Sequence, residues 1–266
     1  FYQLVLAMKK IATQQGVSFH FNQEVEKIVT ENGKATGIRV HGVDQPFDVV
    51  IASSDYQHTE TLLADGLANY TKEYWASRTF APSCLLFYLG FNERLNSIKH
   101  HTLFFENDLD AHLDSIYKDK KWPEKPLFYA CCPSKTDPSV APEGHENVFL
   151  LMPLATGIED NEEIRAHYFQ DMIARLEKHT GQDNLASKIV YKKSYCIRDF
   201  ENDYHAYAGN AYGLANTLKQ TAVWKPSIRN KKIDNLFYTG QLTVPGPGVP
   251  PAIISGKIVA KEVQSY

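Results

Sequence analysis

The chain has 266 residues, which is enough for a large hydrophobic core and for two domains. Hydrophobic residues make up 43% and charged residues 22% of the chain, as in ordinary globular proteins. The net charge of −3 gives no electrostatic basis for binding nucleic acid. No apolar run approaches the ~20 residues that a transmembrane helix needs. The four cysteines form no C-x-x-C pair, so we predict reduced core thiols in a cytosolic protein without a metal site.

The first part of the chain predicts one helix followed by strands. Apolar residues at helical spacing predict a helix over residues 2–15, which Gly16 ends. Alternating or apolar runs predict strands at residues 17–23, 25–29, 35–41 and 48–53, and Asn32-Gly33 is typical of a hairpin turn. The strand at 48–53 has an apolar centre at residues 49–52 and resembles a buried strand of a parallel sheet. These elements indicate part of an α/β layer.

The middle of the chain has a different pattern. Strands are predicted at residues 83–90, 101–105, 127–132, 147–152 and 190–196, with an amphipathic helix over 161–179. Their irregular spacing favours a mixed or antiparallel sheet. The middle therefore looks like a domain inserted between two α/β segments.

The last segment predicts a strand, a glycine-rich loop and a helix. The strand covers residues 236–238, a turn follows at Gly240, and the helix begins near Val249. Gly246 and Gly248 leave the backbone open to close approach by a ligand. The free N–H groups at the helix N-terminus favour an electron-rich or anionic partner. The same pattern also fits an ordinary structural corner, and the G-x-G-x-x-G fingerprint of dinucleotide sites is absent from the sequence.

Four segments together resemble a known family. Residues 1–28 contain N-x-x-V-x-x-I, and residues 136–144 contain T-D-P-S-x-A-P-x-G. Residues 207–226 resemble a run that ends in G-L-x-x-T-L-x-Q-x-A-x-x-R-P, and residues 239–251 match G-x-x-T-x-P-G-x-G-V-P. This set resembles the C-terminal part of phytoene desaturase-type carotenoid oxidoreductases of the flavin amine oxidase superfamily.

The resemblance implies that FAD binds between this strand–loop–helix and an N-terminal Rossmann segment. It places Val25 at the adenine end, Gly240 and Gln241 near the pyrophosphate or ribityl chain, and Gly248 and Val249 at the flavin ring. Gln241 departs from the family, where many relatives have an acidic or a small residue. The Rossmann segment with its G-x-G-x-x-G is missing, so we interpret the chain as a fragment that alone binds FAD weakly or not at all.

The implied fold is α/β. A partial FAD-binding domain of the glutathione-reductase type is formed by both chain ends, residues 1–55 and 233–266. Residues 56–232 form an inserted α+β substrate domain with a mixed sheet. The implied function is an FAD-dependent carotenoid desaturase that removes hydride from an apolar polyene and works at a membrane surface, cytoplasmic and peripherally bound. Related isomerases, saturases or oxygenases, or a cofactor-free lipid-binding module, remain alternatives, and no catalytic residue is assigned.

Other candidate sites are weaker. Asp137 and its neighbours are typical of a rigid turn. His100-His101 and the acidic residues of 108–114 lack the paired spacing of a metal site, so a solvated loop is the preferred interpretation. The charged stretch 118–123 is also interpreted as a solvated loop rather than a membrane patch. The dense cluster of ionisable and aromatic residues at 199–207 could hold a proton acceptor or could be a hydrogen-bonded loop.

Overall fold

The computed structural model describes residues 2–266, so Phe1, where the first matching segment begins, lies outside the described residues. The helices are α1 (Tyr2–Gln14), α2 (Tyr56–Thr61), α3 (Lys72–Ala76), α4 (Leu109–Tyr117), α5 (Glu162–Thr180), α6 (Ile197–Tyr204) and α7 (Val249–Gln264). The strands are β1 (Lys27–Glu31), β2 (Lys34–Val40), β3 (Val43–Pro46), β4 (Val50–Ala52), β5 (Ser83–Phe91), β6 (His101–Phe104), β7 (Phe128–Cys131), β8 (Glu146–Leu154), β9 (Ile189–Tyr195) and β10 (Leu236–Tyr238). Short 3₁₀ turns connect several of these elements.

The middle of the chain forms a five-stranded sheet in the order β6-β7-β8-β5-β9. Every neighbouring pair in it is antiparallel, which confirms the antiparallel alternative, and the mixed sheet expected for the implied substrate domain is wrong. The reason is the position of α5, which joins β8 to β9. These two strands run in the same direction, but β5 lies between them, so the helical crossover creates no parallel neighbours.

Helix α5 covers one face of this sheet and confirms the prediction for residues 161–179. Asn161 caps it by accepting a hydrogen bond from the Ile164 N–H at 2.9 Å, and Gly181 ends it at φ +66°. Its buried side chains recur at helical spacing and pack against the inner faces of β5 and β8. The resulting core is built from residues of the middle segment alone.

The two ends of the chain meet in a second region. Strand β4 pairs in parallel with β10, and β1, β2 and β3 form an antiparallel sheet. The Asn235 side chain binds the N–H and the carbonyl of Ala35 and also the carbonyl of Asp48, each at 2.7 Å. Asn235 directly precedes β10, so these hydrogen bonds connect the β1-β2-β3 sheet to β10. The buried cluster here also includes Tyr56 and Trp75 from the following segment, and the division at 55/56 and 232/233 stays a prediction.

Several local predictions need correction. Residues 17–23 form no strand in the described structure, and Phe19 and Phe21 are exposed. Strand β4 is only three residues long, and its Ile51 is 48% exposed, so the prediction of a buried strand fails at this residue. The hairpin prediction is confirmed, since Asn32 and Gly33 adopt φ +49° and +77°. Within residues 2–266, no helix combines the length and the apolar character that crossing a membrane requires.

Candidate functional site

The C-terminal corner is held by one buried serine. Ser255 Oγ on α7 accepts a hydrogen bond from the Gly240 N–H at 3.1 Å. It also lies 2.9 Å from Thr239 Oγ1 and 3.0 Å from Thr243 Oγ1. Because Ser255 and Thr243 are fully buried, these bonds form away from water and fix the turn after β10 against the helix.

The glycine loop leads directly into α7. Gly246 and Gly248 adopt φ +131° and +114°, a region that side chains other than glycine rarely enter. Gly248 caps the helix, and Pro250 and Pro251 occupy its first turn, where a missing N–H costs little. Val249 begins the helix and is 45% exposed. Because proline has no N–H and the Ala252 N–H donates to the Gly248 carbonyl at 2.9 Å, the helix N-terminus presents the Val249 N–H beside the bare backbone of the loop.

A buried cation lies against this loop. A Cβ placed on Gly246 would lie 3.3 Å from Lys225 Cε and 3.4 Å from Lys225 Nζ. Lys225 is only 6% exposed, and its Nζ has no hydrogen-bond partner among residues 2–266. Burial lowers the pKa of this ammonium group. An unpartnered buried ammonium beside open backbone calls for an anionic or electron-rich partner.

A cavity of about 280 Å³ opens beside the carboxyl ends of β4 and β10. Its lining combines polar and aromatic side chains from three parts of the chain, namely Ser53, Ser54, Asp55, Tyr56, Phe200, Tyr204, Ala206, Asn210, Ala211, Thr239, Gln241 and Leu242. Ligands of open α/β sheets bind at such strand ends.

Asp55, Asn210 and Gln241 form the polar wall of this cavity. Asp55 Oδ1 caps α2 by accepting from the N–H groups of its first turn, and Oδ2 accepts from the Tyr207 N–H at 3.3 Å. Asn210 Nδ2 lies 3.5 Å from Asp55 Oδ2, and Asn210 Oδ1 accepts from Gln241 Nε2 at 3.2 Å. Burial raises the pKa of Asp55, although the surrounding hydrogen bonds oppose this. The network joins β4, the 207–213 segment and the C-terminal corner.

The predicted site residues are only partly brought together. Gln241 lines the cavity. Gly240 precedes it in the chain, and an added Cβ on Gly240 would lie 3.7 Å from the Ser53 carbonyl. Gly248 and Val249 lie at the start of α7. Val25 lies outside this group, half-buried in the extended segment before β1. Its role at the adenine end of a cofactor stays a prediction.

Sequence reasoning missed Lys225, Asp55 and Asn210 as site residues. The motif that matches residues 207–226 has arginine at the position of Lys225, and this was the available signal. Asp55 follows a strand and precedes a helix, a pattern typical of an N-cap and equally of a site at a strand end.

The aromatic and ionisable cluster at 199–207 is largely used in structural contacts. Asp199 Oδ2 accepts from the Cys196 N–H at 2.8 Å and pairs with Arg165 at the same distance. Asp203 accepts from Tyr195 OH at 2.9 Å. Both carboxylates lie on helix α6, so the loop prediction is wrong for residues 199–204, although the hydrogen bonds that it expected are present. The aromatic contribution of the cluster to the cavity comes from Phe200 and Tyr204.

Two of the weaker candidates also have clear structural explanations. Asp137 accepts from the Ser139 N–H at 2.9 Å and from Ser139 Oγ at 2.6 Å, which confirms a local turn. Residues 108–114 are not a solvated loop, because Asp108 caps helix α4. The acidic residues there therefore stabilise a helix end.

Comparisons with known proteins agree on one family. The family described as flavin containing amine oxidoreductase matches residues 2–264. The carotenoid 3,4-desaturase of Haloarcula japonica is 40% identical over 259 residues, which cover 97% of this chain and 52% of that protein. The zeta-carotene-forming phytoene desaturase of Myxococcus xanthus is 29% identical over 273 residues, covering 100% of this chain and 52% of that protein. The chain thus spans about half the length of the curated relatives it matches.

A solved structure supports the fold. The crystal structure of an oxidoreductase from Methanosarcina mazei aligns with a TM-score of 0.60 at 16% identity. The alignment covers 96% of this chain and 52% of that chain.

Proposed function

The chain belongs to the family of flavin-containing amine oxidoreductases, and from this premise we propose that it forms part of the flavin site and the substrate region of an FAD-dependent carotenoid desaturase. The resemblance to carotenoid oxidoreductases is supported by the relatives from Haloarcula japonica and Myxococcus xanthus, whose names describe desaturation of carotenoids. The activity, substrate and partners of the whole protein are part of this proposal.

The observation that carries the proposal is the buried Lys225 ammonium beside Gly246. Reduced flavin carries negative charge, and a cation together with a helix N-terminus stabilises that charge. The chain therefore fits FAD at this loop. Gly248 and Val249 would approach the ring, while Gly240 and Gln241 would lie nearer the ribityl chain or pyrophosphate.

The phosphate-binding part of the site would come from elsewhere. The sequence has no G-x-G-x-x-G, the fingerprint that binds the pyrophosphate of a dinucleotide. We propose that an N-terminal Rossmann segment, corresponding to the other half of the relatives' length, supplies it and meets Val25 at the adenine end. Without that segment, we expect weak FAD binding or none.

When bound, FAD supplies the acceptor for the hydride that leaves an allylic carbon of the polyene. The residues of this chain position the reactants and exclude water. Phe200, Tyr204 and Leu242 give the cavity an apolar side suited to a section of a long polyene, while the Asp55–Asn210–Gln241 network keeps its polar side in place. A volume of about 280 Å³ admits one section of such a chain, near the lower end of the range for ligand pockets.

The proposed activity can be tested on the full-length gene product with phytoene as substrate. Desaturation lengthens the conjugated system, so the product absorption should move to longer wavelength together with loss of two hydrogens by mass. Isomerisation would leave the mass unchanged, saturation would add two hydrogens, and oxygenation would add oxygen. Binding of phytoene without flavin or product would favour the lipid-binding alternative and contradict the proposal.

We also propose peripheral contact with a bilayer, because the substrate class is apolar. Leu218, Val223 and Trp224 are 91%, 88% and 66% exposed on one connecting segment, and Lys219 is next to them. Exposed apolar and aromatic side chains beside a cation are typical of a segment that enters the headgroup region of a membrane.

A further inference from the structure

The structure brings two histidines and a cysteine together at the outer edge of the five-stranded sheet. One ring nitrogen of His100, one of His101 and the Cys131 sulfur lie within 4.8 Å of one another. His101 on β6 and Cys131 on β7 are direct cross-strand partners, so their side chains leave the same face. His100 precedes the strand at a bend, and its ring centroid is 4.3 Å from that of His101.

The backbone and neighbouring hydroxyls hold this arrangement. The Cys132 N–H donates to the His100 carbonyl at 2.8 Å, which fixes the bend beside the end of β7. His100 Nδ1 lies 2.6 Å from Thr136 Oγ1, and His101 Nδ1 lies 2.5 Å from Tyr129 OH. Each ring thus has one nitrogen in a hydrogen bond and the other without such a bond among residues 2–266. A second hydrogen bond of this kind orients histidines that bind metals.

We propose that His100, His101 and Cys131 bind a divalent metal ion of borderline softness, with Zn²⁺ as the best match. Two imidazoles and a thiolate suit Zn²⁺, and three protein ligands leave a fourth position for water. Zinc bonds of about 2.0–2.3 Å place tetrahedral ligand atoms about 3.3–3.7 Å apart. Side-chain rotation must therefore bring the three atoms about 1 Å closer than the observed limit.

This proposal departs from the prediction from the sequence that the chain binds no metal. Sequence patterns did not predict this site because Cys131 is thirty positions from His101, and only the pairing of β6 with β7 places them together. The site lies on the sheet edge, so it is independent of the flavin region. Metal binding would stabilise the pairing of the four-residue edge strand β6 with β7, its single neighbouring strand.

The test is titration of the metal-free, reduced full-length gene product with Co²⁺, followed by competition with Zn²⁺. We expect one equivalent to bind and to produce the near-ultraviolet thiolate-to-cobalt absorption band. Cys131→Ser should abolish this band, and His101→Ala should weaken binding more than 100-fold. Thr136→Val, which removes the hydroxyl beside His100, should weaken it about 10-fold. Cys84→Ser and His20→Ala are matched controls outside the cluster and should bind as the unmodified protein does.

Failure has equally clear signs. Absence of the thiolate band, or a band that survives Cys131→Ser, would overturn the proposal. Circular dichroism checks that each variant folds. If Cys131→Ser does not fold, alkylation of the unmodified protein decides the matter. Zn²⁺ should protect Cys131 from iodoacetamide, as read by mass spectrometry, and equal labelling with and without Zn²⁺ would rule the site out.

Discussion

At the scale of single residues, Glu60 carries a carboxylate into the core formed by Tyr56, Trp75 and their neighbours. It is 7% exposed; Oε1 accepts from the Asn69 N–H, and Oε2 has no partner among residues 2–266. Burial raises the pKa of Glu60 from 4.5 to about 7. The folded state therefore binds more protons than the unfolded state between these values, and this group costs stability as pH rises from 4.5 to 7.

Replacing Glu60 by glutamine should remove that cost. We expect Glu60→Gln to raise the free energy of unfolding by about 1–2 kcal/mol at pH 8 and to have little effect below pH 4.5. Urea denaturation across this pH range measures the difference. Glu163→Gln, at an exposed position of α5, is the control and should show no comparable dependence on pH. A constant Glu60→Gln effect at all pH values would contradict the argument.

Lys225 is a buried basic group, so its expected effect on stability changes with pH in the opposite direction to that of Glu60. Burial lowers the pKa of Lys225 below 10.5 in the folded state. At pH values between this lowered pKa and 10.5, the unfolded state therefore binds more protons than the folded state. The effect of Lys225 on the free energy of unfolding therefore becomes less unfavourable as the pH rises through that range. Lys225→Met should make the FAD-free full-length protein more stable at pH 7, with a gain that disappears toward pH 10.5. The same variant should bind FAD about 10-fold more weakly, a loss of about 1.4 kcal/mol.

The two readouts separate the possible roles of Lys225. Thermal unfolding without FAD reports the cost of burying the ammonium, and fluorescence titration reports its value to the cofactor. Lys231→Met is a control at a lysine outside the cavity and the glycine loop. Unchanged FAD affinity in Lys225→Met, with the protein folded, would mean that this ammonium does not face the cofactor.

At the scale of an element, α7 offers two glycines with opposite expected effects. Gly248 caps the helix at φ +114°, and an added Cβ would lie 3.3 Å from Pro251 Cδ. Gly256 is exposed inside the helix, with nothing within 4 Å of an added Cβ. Gly248→Ala should destabilise the protein by about 1–3 kcal/mol, and Gly256→Ala should stabilise it by about 0.5–1 kcal/mol. Chemical denaturation measures both; equal effects would contradict a special role for the Gly248 backbone.

The elements also show how far the sequence predicts this fold. Helix α5 was predictable because its cap, its apolar stripe and its final glycine all lie within the element. The antiparallel arrangement of the sheet was not predictable in the same way. It depends on which strands are neighbours, and β5 lies between β8 and β9. Apolar and polar residues alternate in segment 17–23, as they do in strands. A strand also needs a neighbouring strand to pair with, and this segment forms no strand among the described residues.

The candidate site was predictable to a similar degree. Gly240, Gly248 and the start of α7 follow from turn and helix-start chemistry, which is local. The Lys225–Gly246 contact and the Asp55–Asn210 contact join residues that are far apart in the sequence, and local patterns do not specify them.

At the scale of the whole molecule, two buried clusters are joined by a polar seam. The sheet cluster contains residues of the middle segment, whereas the second cluster combines both chain ends with Tyr56, Trp75 and Leu214. Between them, Ser83 Oγ donates to the Gly209 carbonyl at 2.6 Å, and Asp55 accepts from the Tyr207 N–H. The cavity is lined by Asp55 of this seam and by Tyr56 and Leu242 of the second cluster.

The exposed segment with Leu218, Val223 and Trp224 gives the molecule one side that suits a lipid surface. The proposed polyene substrate dissolves in bilayers, so contact through this segment would bring the protein to the lipid that holds the substrate. We expect the full-length protein to float with phosphatidylglycerol-containing vesicles, and Val223→Ser with Trp224→Ser to reduce the bound fraction several-fold. Val190→Ser, at a 64% exposed position on β9, is the matched control and should bind like the unmodified protein. Equal loss in both variants would show that general surface hydrophobicity, rather than this segment, drives the binding.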